Sequence, residues 1–152
     1  MIFDRTQADV DSAIRIRKEK VQAFQPLTDV EISLLERGTI TINTLNRIEQ
    51  KQEELKNLIN GVGYWNTPVE SKAWSYTDVF DESEFARIIE NLNFLRNAFF
   101  VYKDTPSTPP ISYSYKDVNA IEKILYDLDV MINDVKSHYQ KCGVARCGGN
   151  KK

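Results

Sequence analysis

One helical pattern written three times constrains this chain more than any other feature. The segments Leu45–Glu49, Phe85–Ile89 and Val118–Glu122 each open with a large apolar residue and carry isoleucine at the fourth position. Behind each start, large residues recur at steps of three and four, as on one face of an α-helix. A repeated unit of this kind buries its apolar face only by stacking on similar units. The pattern therefore indicates packing and assembly, and it names no reaction.

Start and stop signals divide the chain into about five helices. Thr6 opens a helix to Gln22, Thr28 and Glu31 form a capping box for a short helix ending at Gly38, and the three repeat helices follow. The repeat helices are expected to begin near residues 41–43, 81 and 114, and to end near residues 61–63, near residue 100 and at Gly143. Partial alternation at 69–76 and 111–115 leaves short β segments open.

These signals predict a mostly α fold of helical units joined by linkers rich in proline and aromatic residues, in a helical bundle or coiled-coil association. We expect a helical region at residues 1–40, three repeat helices with aromatic linkers at 41–143, and a flexible basic tail at 144–152.

Composition excludes several classes of partner. The chain of 152 residues is 41% hydrophobic and 28% charged, with a net charge near −2, so no strong field draws it to nucleic acid or to an anionic membrane. No apolar run approaches the roughly 20 residues of a membrane helix. We therefore predict neither a nucleic acid nor a membrane as partner.

The apolar rows are the predicted interaction residues. The last row is the longest, and Ile124 and Met131 widen it beyond a two-stranded seam, which favours a bundle or a trimer of chains. An ordinary core helix within one chain is the open alternative. The interaction residues are Leu45, Ile48, Leu55, Phe85, Ile88, Leu92, Leu95, Val118, Ile121, Leu125, Leu128, Ile132 and Val135, with Trp74 from a linker.

Polar residues in the repeats admit two interpretations each. Gln52 stands where the other rows have leucine, so it is either a buried residue that fixes register or an exposed one. The polar pairs of the first and third starts, Asn46 with Glu49 and Asn119 with Glu122, either cap their helices or reach a neighbouring chain. Arg47 and Arg87 share a repeat position and either pair with acids of a partner or lie on a solvated face.

The extended Thr-Pro-rich stretch Asp104–Ile111, which leads into Val118–Glu122, resembles a module of bacteriophage tail and baseplate proteins. Leu45–Glu49 is the closest match to the Leu-Asn-x-Ile-Glu helix start of that module. Trp74–Asp78, leading to Phe85, is similar to a related variant in prophage structural proteins. The second copy departs from the pattern, because Ala86 replaces the asparagine and Ile89 the glutamate.

The resemblance implies a structural assembly component of a phage tail: a baseplate, fibre-attachment or tail-tip protein that acts by helix-mediated oligomerisation. It also implies other tail proteins as partners, and a location in the virion after synthesis in the bacterial cytoplasm. We expect self-association, with a trimer as the first guess. Two alternatives stay open: a non-virion assembly factor, and a module that binds host glycans through the aromatic residues Trp65, Trp74, Tyr76, Tyr102, Tyr113 and Tyr115.

The sequence predicts no enzyme and no cofactor. It contains no Gly-rich phosphate loop, no H-E-x-x-H and no nucleophile elbow, and it has a single histidine. That histidine, His138, precedes Cys142 by four residues, and Cys147 follows. These three residues leave open a metal site, a reversible disulfide and an idle basic tail.

Overall fold

The computed structural model describes residues 1–63 and 68–144, with side chains up to residue 138. The described residues form five α-helices and no β-strand, which confirms the mostly α fold. The helices are α1 (Gln7–Ile16), α2 (Asp29–Gly38), α3 (Ile42–Gly61), α4 (Glu82–Ala98) and α5 (Tyr115–Val144). Within the described helices, no stretch has the length and apolar character needed to span a membrane.

Side-chain caps fix where most helices begin. Thr6 and Thr28 each form a full capping box, with Asp9 and Glu31 respectively, and the hydroxyl of Thr41 and the carboxylate of Asp81 accept a backbone hydrogen bond at the starts of α3 and α4. The predicted starts are therefore confirmed. One predicted end is wrong: α5 continues past Gly143 to Val144.

The three repeat helices run parallel to one another. Arg47 of α3 pairs with Glu122 of α5, and Lys51, one turn later, pairs with Asp129. In the same way Glu49 pairs with Arg87 of α4, and the later Gln52 contacts Asn91. Because later residues of α3 contact later residues of α4 and α5, the three helices must run in the same direction. Parallel neighbours cannot be joined by short turns, so the linkers between them must return along the bundle.

Both linkers run back as extended chain along the helix before them or after them. In the first linker, Val69 lies beside Lys56 in the later part of α3, and Trp74 lies beside Asn46 near its start. In the second linker, Tyr102 bonds Asp134 of α5, whereas Thr105 bonds Asp127, two turns closer to the start of that helix. Residues 69–74 thus run as extended chain without a β-ladder, and a turn follows at Tyr76.

The apolar rows of the three repeats form one core within a single chain. Thirteen of the fourteen predicted interaction residues are buried there: Leu45, Ile48, Leu55, Trp74, Phe85, Ile88, Leu92, Leu95, Val118, Ile121, Leu125, Leu128 and Ile132. Val135 differs, because 37% of its surface is exposed beyond the end of the core. The seam therefore lies between helices of one chain, which is the alternative that the sequence left open.

The first two helices form a hairpin beside this bundle. Helix α1 continues as a π-helical segment, Arg17–Val21, in which the amide of Gln22 donates to the carbonyl of Arg17. The hairpin packs closely where α2 ends, because a Cβ added at Gly38 would collide with the carbonyl oxygen of Asp9 and with Ala13. Ala13 and Ile16 are the buried apolar residues of the hairpin.

Candidate functional site

The asparagines of the repeat starts hold extended chain against the bundle. The side-chain oxygen of Asn46 accepts from the amide of Trp74 at 2.7 Å, and its Nδ2 donates to the Trp74 carbonyl at 3.1 Å. Asn119 binds Arg5 in the same way, accepting from its amide at 3.3 Å and donating to its carbonyl at 2.9 Å. A carboxamide that exchanges two hydrogen bonds with one residue satisfies both backbone groups of that residue, as a neighbouring β-strand would. We call each such arrangement an asparagine clamp.

A third clamp is formed by Asn91 of α4, which comes five residues after Ala86, the position equivalent to the other two clamp asparagines. Asn91 accepts from the amide of Glu70 at 3.2 Å and donates to its carbonyl at 2.8 Å. Sequence reasoning missed this residue because it lies outside the repeat start. The signal that could have found it is its place in α4 between the apolar residues Ile88 and Leu92, where an asparagine needs a partner when buried.

Glu49 lies buried beside the first clamp and is bonded on every side. Its carboxylate accepts from the amide of Lys72 at 3.2 Å and from the indole Nε1 of Trp74 at 3.2 Å. Arg87 of α4 supplies two further hydrogen bonds and the opposite charge. One carboxylate therefore joins α3, α4 and the first linker.

Glu122 repeats this arrangement in α5. It accepts from the amide of Ile2 at 3.0 Å, from Arg5 Nη1 at 2.6 Å and from Arg47 Nε at 2.9 Å. The Arg5 side chain is only 2% exposed, so this ion pair is fully removed from water. Residues 1–5 thus occupy the place on α5 that the first linker occupies on α3.

The arginines and glutamates follow a cyclic order. Arg87 of α4 reaches Glu49 of α3, and Arg47 of α3 reaches Glu122 of α5. The third pair in this order would join position 120 of α5 to position 89 of α4, where the chain has alanine and isoleucine. The chain thus carries neither member of a third ion pair, and no charge is left unpaired at these two positions.

These contacts correct two sequence interpretations. Asn46, Glu49, Asn119 and Glu122 do not cap their helices, since they lie beyond the first residues and bond extended chain and arginines. Arg47 and Arg87 do not lie on a solvated face, because each pairs with a buried carboxylate of the same chain. Sequence alone indicated the residues, but it could not indicate that their partners lay in the linkers.

Gln52 is buried in the core, as the first of its two interpretations predicted. Its Nε2 donates to the carbonyl of Ile88 at 2.9 Å, and its Oε1 accepts from Asn91 at 3.2 Å. The residue thus connects the core of α3 with the third clamp. This contact fixes the register of α3 against α4.

Charged groups at the edge of the first linker complete the site. Lys72 Nζ lies 4.1 Å from the centre of the Trp74 ring and 2.7 Å from the Glu84 carboxylate. The hydrogen bond from Lys72 is the main reason why the pKa of Glu84 is lowered. Trp74 is therefore covered by Lys72 on one side and meets Phe80 edge-on, with ring centres 5.4 Å apart.

The candidate glycan-binding aromatics do not form a common surface with Trp74, because that residue is buried. Tyr102 donates its hydroxyl to Asp134, whereas Tyr76 and Tyr113 are exposed. Trp65 lies outside the described residues, as do Cys147 and the side chain of Cys142, so the metal and disulfide interpretations of the tail rest on sequence. Among the described residues, no three His, Cys, Asp or Glu side chains are grouped to hold a metal ion.

One cleft among the described residues lies next to the buried side chain of Arg5. A cleft of about 250 Å³ lies between the hairpin and the start of α5, lined by Arg37, Gly38, Tyr113 and Val118 among others. Arg5 also lines it: its Nη1 is engaged with Glu122, whereas its buried Nη2 has no hydrogen-bond partner among the described residues. The buried carboxylates of Glu49 and Glu122 are bonded to arginines and backbone amides, which suits the positioning of extended chain.

Comparisons with protein-family models, with curated proteins and with solved structures found no match for this chain.

Proposed function

We propose that the chain is a structural assembly component of a phage tail, in a baseplate, fibre-attachment or tail-tip position within the virion. The observation that carries the proposal is the repeated clamp. In two of three repeats, the Asn and Glu of the tail-protein-like helix start bind extended chain and an arginine of a neighbouring helix. Buried polar groups used in this way make a rigid unit with fixed linkers.

A rigid unit suits a particle component better than a free assembly factor that must adapt to several states. Self-association and contacts with other tail proteins belong to this proposal. The apolar seam does not support the expected trimer, because its residues are buried against one another within one chain. Any contact between chains must therefore use other surfaces, and the mass in solution decides the number of copies.

The experiment is to locate the chain in particles released from the bacterium that carries its gene. Mass spectrometry of purified particles and immunogold labelling should detect it at the tail in a fixed copy number. If the chain occurs only in the soluble lysate fraction while particles assemble without it, the proposal is overturned in favour of the non-virion assembly factor.

A matched pair of variants connects location with the clamps. Asn46→Ala removes a clamp, whereas Asn43→Ala, on the same helix, removes only an exposed contact with Glu36. We expect fewer or misassembled tails with Asn46→Ala and normal tails with Asn43→Ala. Equal tail yields for both variants would argue against the clamp as the functional element.

A further inference from the structure

We propose that the cleft between the hairpin and the start of α5 binds a carboxylate group on a short apolar chain, with the guanidinium of Arg5 as its charge partner. The inference goes beyond the proposed function, because it concerns a small anionic group and holds whether or not the chain belongs to a tail. Its grounds are the charges around Glu122, one nitrogen of Arg5 and the groups that line the cleft.

The buried ion cluster around Glu122 carries one positive charge in excess. Arg5 Nη1 lies 2.6 Å from one carboxylate oxygen of Glu122, and Arg47 Nη2 lies 2.8 Å from the other. Two guanidinium groups therefore share one carboxylate. The side chains of Arg5 and Glu122 are 2% and 0% exposed, so water contributes little to the charge balance at Arg5.

The equivalent cluster on α3 is balanced. Glu49 pairs with Arg87, Arg87 also pairs with Glu84, and Glu84 pairs in turn with Lys72, so two acids face two bases. The clamped residue of this cluster, Trp74, bonds Glu49 through its neutral indole. On α5 the clamped residue is an arginine, so that cluster has a cation in place of the indole and no second acid. An anionic group beside this arginine would restore the balance.

Arg5 also keeps one nitrogen free to bind such a group. Its Nη1 donates to Glu122, to the side-chain oxygen of Asn119 and to the carbonyl of Ile2. Its Nη2 is buried and has no hydrogen-bond partner among the described residues. A guanidinium is planar, so Nη2 lies on the side away from the groups that Nη1 binds. Because Arg5 lines the cleft, an acceptor for this buried donor can approach from there.

The size and lining of the cleft suit a small monocarboxylate. Its volume of about 250 Å³ lies below the roughly 300–1,000 Å³ of sites for drug-sized ligands. None of the described residues that line it is acidic, and Val10, Ile40 and Val118 provide an apolar wall. One excess charge and one unpartnered nitrogen match a carboxylate better than a phosphate, which carries more charge and more oxygen atoms.

Two other groups at the cleft influence an anion differently. Ser114 brings the start of α5 to the cleft, and the positive end of a long helix attracts anions. Arg37 also lines the cleft, but its guanidinium pairs with Asp4 and Asp9. The recognition of charge therefore falls to Arg5, supported by the helix start.

Titration of the full chain with butyrate, followed by proton–nitrogen correlation NMR, tests the inference. We expect saturable shifts of the amides of Gly38, Thr39 and Val118, which line the cleft, with a dissociation constant of about 1 mM. The neutral ligand butyramide, at the same ionic strength, should cause no saturable shift of these amides. Phosphate should bind about tenfold more weakly than butyrate.

Two variants test the charge partner. Arg5→Lys keeps a cation for Glu122 and removes Nη2, so it should weaken butyrate binding about tenfold. Ser114→Asp keeps a capping residue at the start of α5 and places an acid at the cleft, so it should weaken binding by about the same factor. Ser83→Asp makes the same charge change at an exposed position in the first turn of α4, and it should leave binding unchanged. The NMR spectrum of each variant checks its fold, and Ser114→Asp decides if Arg5→Lys does not fold.

A blocked glutamate distinguishes two sources of the carboxylate. Butyrate represents a free short-chain acid, whereas N-acetyl-glutamate-N-methylamide represents the side chain of a partner protein. Both carry a carboxylate on a short apolar chain, and the one that binds more tightly identifies the source.

The inference is overturned if butyrate causes no saturable shift at the cleft, or if butyramide or phosphate binds as tightly as butyrate. Wild-type affinity in a folded Ser114→Asp chain would also overturn it. None of these results changes where the chain is found in particles, so failure of this inference and failure of the proposed function are distinguishable.

Discussion

Replacing Glu122 by alanine tests whether the buried clamp residues hold the fold together. The carboxylate is fully buried and accepts hydrogen bonds from Ile2, Arg5 and Arg47. Alanine would leave the buried guanidinium of Arg5 without its anion. Removing one member of a buried ion pair costs about 3–5 kcal/mol, against a typical unfolding free energy of about 5–15 kcal/mol. For a chain of this length, the melting temperature should fall by about 6–20 °C.

Urea unfolding followed by circular dichroism measures this loss, and Glu54→Ala is the matched control. Glu54 is 48% exposed and pairs with Lys51 on the surface of the same bundle, so its removal should cost less than about 1 kcal/mol. The double variant Arg5→Leu, Glu122→Leu should recover part of the stability, because it removes the fully buried charge of Arg5 together with its anion, and the remaining Arg47 is 27% exposed. If Glu122→Ala costs no more than Glu54→Ala, the reasoning from burial and pairing is refuted.

Three further predictions concern the core, the linker and the hairpin. Gln52→Leu should change the free energy of unfolding, measured with urea, by less than about 1.5 kcal/mol, since Asn91 keeps its bonds to Glu70. Gln52→Ala should cost about 2–5 kcal/mol in the same measurement. Trp74→Ala should lower stability by about 3–5 kcal/mol; unchanged melting together with lost binding to host cell-wall material would favour the glycan-binding alternative. Bonds from Lys20 and Thr28 lower the pKa of Glu31 from 4.5 to about 2, so stability should decline as pH falls through that range, and Glu31→Gln should show a smaller decline.

The helices could be predicted from sequence because their signals are local. A cap such as Thr28 with Glu31 is complete within four residues, and the row from Val118 to Ile132 needs only the helical period. The predicted helix starts therefore agree with the structure. Only the last end was misjudged, because a single Gly143 can lie within a long helix at a cost of about 1 kcal/mol.

The polar site could not be predicted, because its partners are distant in sequence. Asn46 binds Trp74 across 28 residues, and Arg5 binds Glu122 across 117 residues. Helix-start patterns contain no information about which extended segment returns to which helix. Capping was the plausible local interpretation of Asn and Glu, and the tertiary contacts replaced it.

The three repeats are best understood as one ring of contacts rather than as three equal copies. When the three repeats are compared with one another, α4 lacks the asparagine and the glutamate, and α5 lacks the arginine. Taken separately, these are three unrelated departures from the pattern. In the cyclic order the missing glutamate of α4 and the missing arginine of α5 have one explanation, whereas the missing asparagine, at Ala86, lies outside that order. By the order of the other two pairs, position 120 of α5 corresponds to position 89 of α4, so a charge at only one of them would have no partner. Arg87 persists in the otherwise degenerate second repeat because its partner, Glu49, belongs to α3. The two departures at positions 89 and 120 thus follow the pairing between helices, not the individual helices.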